Sequence, residues 1–212
     1  MGNHLSGIVP VQLHPTEYYL SDIAATECVT FDGNLGSTRF FKVARVKLHQ
    51  VRPQASDMQS SMSNQYSGLD APSLGVAKVF VINDPTLPLK AHKEMIDWVK
   101  EILKENPNAL AFSKAVINEK TAVLIRQYIK YNLYDRISTR PFLTFFEKTW
   151  IAYQVLKGAE WIHEKGICHG DIKLENILIT SYLWVLLTDF ATYKPVFLPE
   201  VKMFVYNLLY LP

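Results

Sequence analysis

Five polar residues in the C-terminal half of the chain have types and spacing suited to phosphoryl transfer. They are His169, Asp171, Lys173, Asn176 and Asp189. A carboxylate can accept a proton, an ammonium group can neutralise charge on a phosphoryl group, and asparagine and aspartate oxygens are magnesium ligands. Taken singly, each has a plainer interpretation: Asp171 as a turn residue, Lys173 as a solvated charge and Asn176 as a cap.

The order of these residues is that of the catalytic loop and magnesium-binding aspartate of a protein kinase. The loop has the form H-x-D-x-K-x-x-N, and hydrophobic strands are predicted over 177–179 and 184–187, before Asp189-Phe190. In this pattern Asp171 accepts the proton of a substrate hydroxyl and Lys173 neutralises the transferred phosphoryl group. Asn176 and Asp189 then hold Mg²⁺ against the phosphates of ATP.

A phosphate-binding loop is predicted between residues 32 and 43. Gly36 matches the first glycine of the kinase loop G-x-G-x-x-G-x-V and Val43 matches its valine, whereas Thr38 and Phe41 replace the later glycines. Backbone amides approach phosphate best without an intervening Cβ, so this loop should hold nucleotide less closely. The alternative is a plain hairpin turn at 32–34. The residues predicted to contact ATP here are Leu35, Gly36, Ser37 and Val43.

A lysine and a helical carboxylate are expected to complete the nucleotide site. Lys78 lies in the β-rich run Val76–Phe80, where the kinase pattern V-A-I-K places the lysine that binds ATP phosphates. A helix predicted over 90–105 should carry its carboxylate partner. Glu94 and Asp97 are both candidates, and either could equally be a surface charge.

The remaining periodicity predicts the elements that position this site. Strands are predicted over 44–48 and within 109–127, a hinge at Gln127-Tyr128 and a short helix over 131–137. A turn is predicted over 84–88. A long helix over 145–164 should end at Gly166, with Trp150 and Trp161 as core anchors. Residues 50–75 are rich in Ser, Gln, Asn, Pro and Met, which predicts a disordered insert.

Composition is that of a globular soluble protein. The 212 residues are 49% hydrophobic and 20% charged. A net charge of +2 gives no argument for a nucleic-acid partner. The chain has two cysteines, Cys28 and Cys168, which are predicted to be free thiols in a reducing compartment. No apolar run approaches the roughly 20 residues needed to span a bilayer, and no secretory signal is evident.

The N-terminus has the N-myristoylation pattern M-G-x-x-x-S, with Gly2 as the acceptor. The alternative is an ordinary frayed terminus. A single myristoyl chain gives only marginal membrane binding, so a second anchor or a membrane-bound partner would be needed.

Several runs together resemble the myristoylated regulatory kinase subunit of the class III phosphatidylinositol 3-kinase complex, which serves vacuolar sorting and autophagy. The similarity extends from Met1 to about Glu200, apart from residues 50–75. The runs that carry it are Leu35–Val43, Asp84–Leu89, Asn132–Phe142, His169–Asp171 and Trp184–Ala191.

The resemblance implies an α+β, bilobed kinase fold, with an antiparallel sheet and one helix in the N-lobe and an incomplete helical C-lobe. It implies Ser/Thr kinase activity with ATP and Mg²⁺, and acylation at Gly2. The implied partners are the lipid-kinase catalytic subunit and its autophagy and sorting co-subunits, and the implied location is cytoplasmic, peripheral on endosomal, vacuolar or autophagosomal membranes. Weak or restrained phosphotransfer is also implied. Gly170, in place of arginine, and Ala191, in place of glycine, agree with it.

The predicted organisation is an N-terminal segment 1–24, an N-lobe 25–127, a partial C-lobe 128–200 and an atypical tail 201–212. The tail lacks the activation segment that the resemblance leads us to expect, which indicates a chain truncated within the kinase domain. Two alternatives to a weak kinase follow: a pseudokinase scaffold that anchors the lipid kinase without phosphotransfer, and a nonfunctional truncated product.

Overall fold

The N-terminal half forms a five-stranded antiparallel sheet with a helix on each face. The computed structural model describes residues 14–38, 41–49, 72–82 and 86–190. The sheet order is β1-β2-β3-β5-β4. Its elements are α1 (Thr16–Glu27), β1 (Val29–Ser37), β2 (Lys42–Leu48), β3 (Ser73–Val81), α2 (Leu89–Leu103), β4 (Lys114–Ile117) and β5 (Thr121–Gln127). The sheet and α2 confirm the N-lobe of the predicted α+β fold.

The hairpin of β1 and β2 differs from the alternative of a turn at residues 32–34. Those residues lie inside β1, which has register irregularities between Phe31 and Gly33 and between Asn34 and Gly36. The chain reverses after Ser37 instead. A bulged strand twists more strongly than a regular one. β1 stays paired with β2 up to Ser37, and residues 35–37 at its end line the interlobe cleft.

Part of the predicted insert 50–75 belongs to the sheet. Residues 73–75 begin β3 and pair with the end of β2, while residues 50–71 lie outside the described residues. Gly75 is a close approach: a Cβ there would lie 3.0 Å from Cδ1 of Leu48 and 3.2 Å from the carbonyl oxygen of Arg126. This packing holds β5, and with it Arg126, against β3.

Helix α1 covers the outer face of the sheet. Tyr19, Leu20 and Ile23 are buried against Val46 and Val79. Lys114 of β4 forms an ion pair with Glu27 at the end of α1, at 2.8 Å. This helix was not predicted, and it crosses the domain boundary predicted at residue 24.

Helix α2 covers the opposite face and joins a core shared by the two lobes. Its buried residues are Ile96, Val99 and Leu103. They belong to one cluster with Phe112 and with Phe190 of the C-terminal half. Alternate residues of β2 and β5 supply the two faces, as the two-residue period of a strand requires.

The C-terminal half contains a three-stranded antiparallel sheet, β6-β7-β8, beside a long helix. Its elements are β6 (Tyr131–Asn132), α3 (Leu133–Ser138), α4 (Phe145–Glu164), a short 3-10 helix (Leu174–Asn176), β7 (Ile177–Ile179) and β8 (Val185–Leu187). Thr144 and Glu147 form a capping box at the start of α4. The predicted bounds of α4 are confirmed.

The two tryptophans of α4 differ. Trp161 is partly buried against the core, as predicted. Trp150 is 45% exposed and stacks on Tyr153, with ring centroids 5.6 Å apart, so its prediction as a core anchor is wrong. Cys28 and Cys168 are free thiols, as predicted. Among the described residues, no helix combines the length and apolar character required to cross a bilayer.

The segment between α2 and β4 ties the two lobes together. The amide of Leu187 donates to the carbonyl of Asn108, and the amide of Leu110 donates to the carbonyl of Leu187, each at 2.8 Å. Nδ2 of Asn108 donates to the carbonyl of Val185 at 2.9 Å, and Nδ2 of Asn106 donates to that of Gly158 at 3.1 Å. The lobes are therefore joined here as well as through residues 128–130.

Candidate active site

A cleft of about 580 Å³ lies between the two lobes and brings most of the predicted site residues together. Its roof comes from β1 and β2, its rear wall from β3 and β5, and its floor from residues 171–176 and 189–190. The predicted residues that line it are Leu35, Gly36, Ser37, Val43, Lys78, Asp171, Lys173, Asn176 and Asp189.

The roof of the cleft includes a buried aromatic side chain. Phe41 occupies a position predicted to replace a glycine, and it is buried with its ring edge-on to Phe80, at a centroid distance of 6.2 Å. Nζ of Lys78 lies 5.9 Å from the centre of the Phe41 ring. An aromatic ring therefore lies over the lysine, at a place where the kinase pattern has only backbone.

The rear of the cleft contains a buried group of opposite charges. Nζ of Lys78 is 2.7 Å from Oδ1 of Asp189, and Nη2 of Arg126 is 3.7 Å from Oδ2 of the same carboxylate. The side chains are 13%, 7% and 14% exposed for Lys78, Arg126 and Asp189. Asp189 has a φ of 62°, a left-handed backbone conformation in which aspartate is tolerated.

The carboxylates proposed for α2 lie elsewhere. Asp97 pairs with Lys93 of its own helix at 2.8 Å and its side chain is 45% exposed, and Glu94 lies on the exposed side of α2. Helix α2 directs its apolar stripe at the core, which turns both carboxylates outward. Within the described part of the chain, the predicted ion pair between Lys78 and α2 is therefore not formed, and Asp189 takes the place of the helical carboxylate.

Asp171 is held by the residue five positions later. Nδ2 of Asn176 donates to the Asp171 carbonyl at 2.8 Å and to its Oδ2 at 3.1 Å. Nζ of Lys173 lies 3.4 Å from the same Oδ2. The short 3-10 helix ends at Asn176 and directs this buried side chain back over the loop. One carboxylate oxygen is thus fixed by a neutral donor and a cation.

His169 supports the loop from beneath. It is buried, and its ring stacks on Phe190 at a centroid distance of 4.4 Å. Its Nδ1 accepts the amide of Asp171 at 3.3 Å. Burial lowers the pKa of His169, against the opposing effects of the Thr188 backbone and of two nearby carboxylates. A neutral imidazole that accepts a backbone hydrogen bond positions Asp171 without adding charge to the site.

Strand β8 positions Asp189. The amide of Thr188 donates to the carbonyl of Asn176 at 3.0 Å, and Oγ1 of Thr188 donates to the carbonyl of Leu110 at 3.1 Å. These bonds join β8 to the catalytic loop and to the upper lobe. Asp189, the next residue, therefore emerges facing both Lys78 and the loop.

The oxygen atoms at the floor fit a magnesium ion. Asn176 uses its amide nitrogen on Asp171, which leaves its amide oxygen as the atom with lone pairs for a cation, and Asp189 contributes a carboxylate. In the described ranges, no group of three His, Cys, Asp or Glu residues could hold a metal ion by itself. Mg²⁺ characteristically uses one or two carboxylates together with phosphate oxygens, so this donor set suits a metal that arrives with a nucleotide.

Sequence reasoning missed Arg126, Phe112 and Leu124. Phe112 and Leu124 line the cleft wall, and Arg126 lies buried behind it. The available signal was an arginine near the end of the otherwise apolar strand β5, because a buried charge requires a partner.

Three predicted features lie wholly or partly outside the described residues. They are Gly2, Ala191 and residues 84–85 of the predicted turn at 84–88. Gly170 is described and has a φ of 69°. An arginine at this position would be strained, so the glycine suits the backbone that the loop adopts.

Comparison with known proteins agrees with this geometry. The model of the protein kinase domain family matches residues 59–212. The serine/threonine-protein kinase VPS15 of Arabidopsis thaliana is 35% identical over 201 residues, which are 94% of this chain and 12% of that protein. The VPS15 of Saccharomyces cerevisiae is 36% identical over the same share of each chain. The vps15 of Schizosaccharomyces pombe is 48% identical over 124 residues, 58% of this chain and 7% of that protein. The chain therefore spans about an eighth or less of the length of these relatives.

Proposed function

Since this chain belongs to the protein kinase family, we propose that it forms the nucleotide-binding and catalytic part of a VPS15-like serine/threonine protein kinase. The observation that carries the proposal is the meeting of Lys78, Asp171, Asn176 and Asp189 at one interlobe cleft. Separate surfaces for these groups would have been incompatible with phosphoryl transfer.

The arrangement assigns a role to each side chain. ATP would supply the transferred γ-phosphoryl group, and Mg²⁺ would neutralise its developing charge. Asn176 and Asp189 would hold the metal. Asp171, oriented by Asn176, would accept the proton of a serine or threonine hydroxyl. Lys173, whose Nζ lies 3.4 Å from that carboxylate, would stabilise the negative charge of the transferred phosphoryl group.

We expect phosphotransfer to be weak. Phe41 lies where a phosphate-binding glycine is usual, and the ammonium group of Lys78 is engaged by Asp189 at 2.7 Å. Before Lys78 can bind a phosphate, its ammonium group must either leave the Asp189 carboxylate or contact the carboxylate and the phosphate together. Breaking a buried ion pair opposes nucleotide binding.

A second candidate is a pseudokinase scaffold, which binds nucleotide or partner without transferring phosphate. The same two features favour it. In both cases we propose that the chain belongs to a regulatory subunit of a class III phosphatidylinositol 3-kinase complex, acylated at Gly2 and peripheral on endosomal, vacuolar or autophagosomal membranes. The sequence resemblance and the VPS15 relatives support this proposal.

The kinase and scaffold proposals are separated by two measurements on the full chain. Thermal stability is measured against Mg·ATP concentration, and phosphate incorporation into a general protein substrate is measured with labelled ATP. The kinase proposal expects stabilisation and slow incorporation, with Lys78→Met abolishing the first and Asp171→Asn only the second. The matched control is Lys90→Met, which removes an exposed lysine of α2.

Stabilisation without incorporation above that of Asp171→Asn would favour the scaffold. The absence of any nucleotide-dependent shift in the folded chain would refute the nucleotide site itself. Association with the lipid kinase is tested separately, by co-expression and co-purification with the class III catalytic subunit. Failure to co-purify would refute the proposed partner without bearing on the nucleotide site.

A further inference from the structure

Arg126 is a buried cation that the proposed phosphoryl-transfer chemistry does not use. It lies in β5 opposite Val76 of β3, and its side chain is 7% exposed. Nη1 donates to the carbonyl of Gln127 at 3.1 Å, while Nε has no hydrogen-bond partner among the described residues. Burying a guanidinium with an unsatisfied donor is costly, and the nearby Asp189 carboxylate is what offsets that cost.

The two cations that face Asp189 differ in their freedom to move. Lys78 carries a compact charge on a flexible stem and lines the open cleft, so it can turn towards a bound phosphate. Arg126 is enclosed, since its strand packs closely against Gly75 and its Nη1 is engaged by Gln127. When Lys78 leaves, Arg126 remains beside the carboxylate.

A fixed positive charge 3.7 Å from a metal-binding carboxylate has two effects. It repels a divalent cation bound to that carboxylate, because like charges held close to the same group oppose each other, and a buried site screens them less than water does. It also neutralises the Asp189 carboxylate, so that this carboxylate repels nucleotide phosphates less when no metal ion is bound.

We propose that Arg126 is a positioning residue that holds the Asp189 carboxylate at the rear of the cleft, weakens divalent-metal binding there and makes nucleotide binding depend little on Mg²⁺. Only the second consequence, nucleotide binding that depends little on Mg²⁺, rests on the proposed nucleotide site. Its first consequence, the weakened metal affinity, concerns the chain without nucleotide.

The test uses Mn²⁺ alone as the probe, with its affinity for the full chain measured by electron paramagnetic resonance of the free ion. Arg126→Met, which preserves much of the side-chain volume and removes the charge, is expected to bind Mn²⁺ at least fivefold more tightly than the unaltered chain. Arg140→Met is the matched control, because Arg140 lies over the exposed ring of Phe142, outside the set of residues that line the cleft. It should change the affinity less than twofold.

A tightening below fivefold in Arg126→Met overturns the proposal, as does an equal tightening in Arg140→Met. If Arg126→Met does not fold, Arg126→Gln replaces it under the same threshold. A second arm measures ATP affinity in EDTA and in Mg²⁺. The ratio of the ATP affinity in Mg²⁺ to that in EDTA should be less than tenfold for the unaltered chain and at least fivefold larger for the Arg126 variant. Equal ratios in the two proteins would also overturn the proposal. If the unaltered chain binds no ATP in either condition, the proposed nucleotide site fails and the Mn²⁺ arm alone decides the role of Arg126.

Discussion

Replacing Asp189 with asparagine preserves the size of the side chain and removes the charge that two buried cations share. Lys78 lines the open cleft on a flexible stem and can turn into it, so the loss of its partner should cost less than the same loss at Arg126. Arg126 cannot turn in this way, and at 3.7 Å its attraction to Asp189 is about 4 kcal/mol at the effective dielectric constant of a protein. Removing one partner of a buried pair typically costs about 3–5 kcal/mol. We therefore expect Asp189→Asn to lose about 4 kcal/mol of unfolding free energy.

This loss is large relative to the total stability of an ordinary domain, about 5–15 kcal/mol. For a chain of this size it corresponds to a decrease of roughly 8–16 °C in the melting temperature, at about 2–4 °C for each kcal/mol. Urea denaturation followed by tryptophan fluorescence gives the free energy, and calorimetry gives the melting temperature.

Two further variants test whether the loss comes from leaving Arg126 buried without its carboxylate partner. Asp97→Asn removes a carboxylate from the exposed pair with Lys93 and should cost less than about 1 kcal/mol. The double variant Asp189→Asn/Arg126→Met should recover at least half of the loss, because Arg126, the enclosed cation, is then also removed. An Asp189→Asn protein within about 1 kcal/mol of the unaltered chain would refute the argument, and so would a double variant no more stable than the single one.

Three other predictions follow from contacts in both lobes. Because burial lowers the pKa of His169, the unfolded chain takes up a proton there at a higher pH than the folded chain does. The stability that neutral His169 allows is therefore fully present above pH 6.5 and decreases as the pH falls, by up to about 1.4 kcal/mol per pH unit. In His169→Phe, the denaturation midpoints measured from pH 7.5 to 5 should depend less on pH than those of the unaltered chain. Gly75→Ala should destabilise the chain by about 1–3 kcal/mol in a urea titration, since the added Cβ would lie 3.2 Å from the Arg126 carbonyl oxygen. The control Gly33→Ala, whose added Cβ has its nearest contact at 3.8 Å, should not show this clash penalty. Thr144→Ala should cost about 1 kcal/mol by removing the cap of α4, which helicity-monitored melting would detect, and an unchanged midpoint would contradict the capping geometry.

The elements that sequence reasoning located best are those with a local signal. Helix α4 has a capping box at Thr144 and a break at Gly166, so its bounds were predicted correctly. Strands β7 and β8 are short apolar runs on either side of a turn. The catalytic loop was found because its residues lie within a few positions of one another, although their chemical roles remain predictions.

The failures concern relationships between distant segments. Choosing the partner of Lys78 required knowing how α2 rotates about its axis, which depends on the cluster that Ile96 and Val99 join. Placing Arg126 beside Asp189 required the pairing of β5 with β3 and the left-handed backbone at Asp189. Helix α1 has only a weak apolar stripe, and its burial depends on a sheet that forms from later residues.

The bonds from Asn108 and Leu110 to β8 have a mechanical consequence. They attach the upper lobe to the lower one at a point beside α4, far along the chain from the linker at residues 128–130. A body held at two places can rotate only about the line that joins them. Opening and closing of the cleft should therefore be a rocking motion about this axis, with the end of β1 at Ser37 and the start of β2 at Lys42 travelling furthest and the floor of the cleft hardly moving.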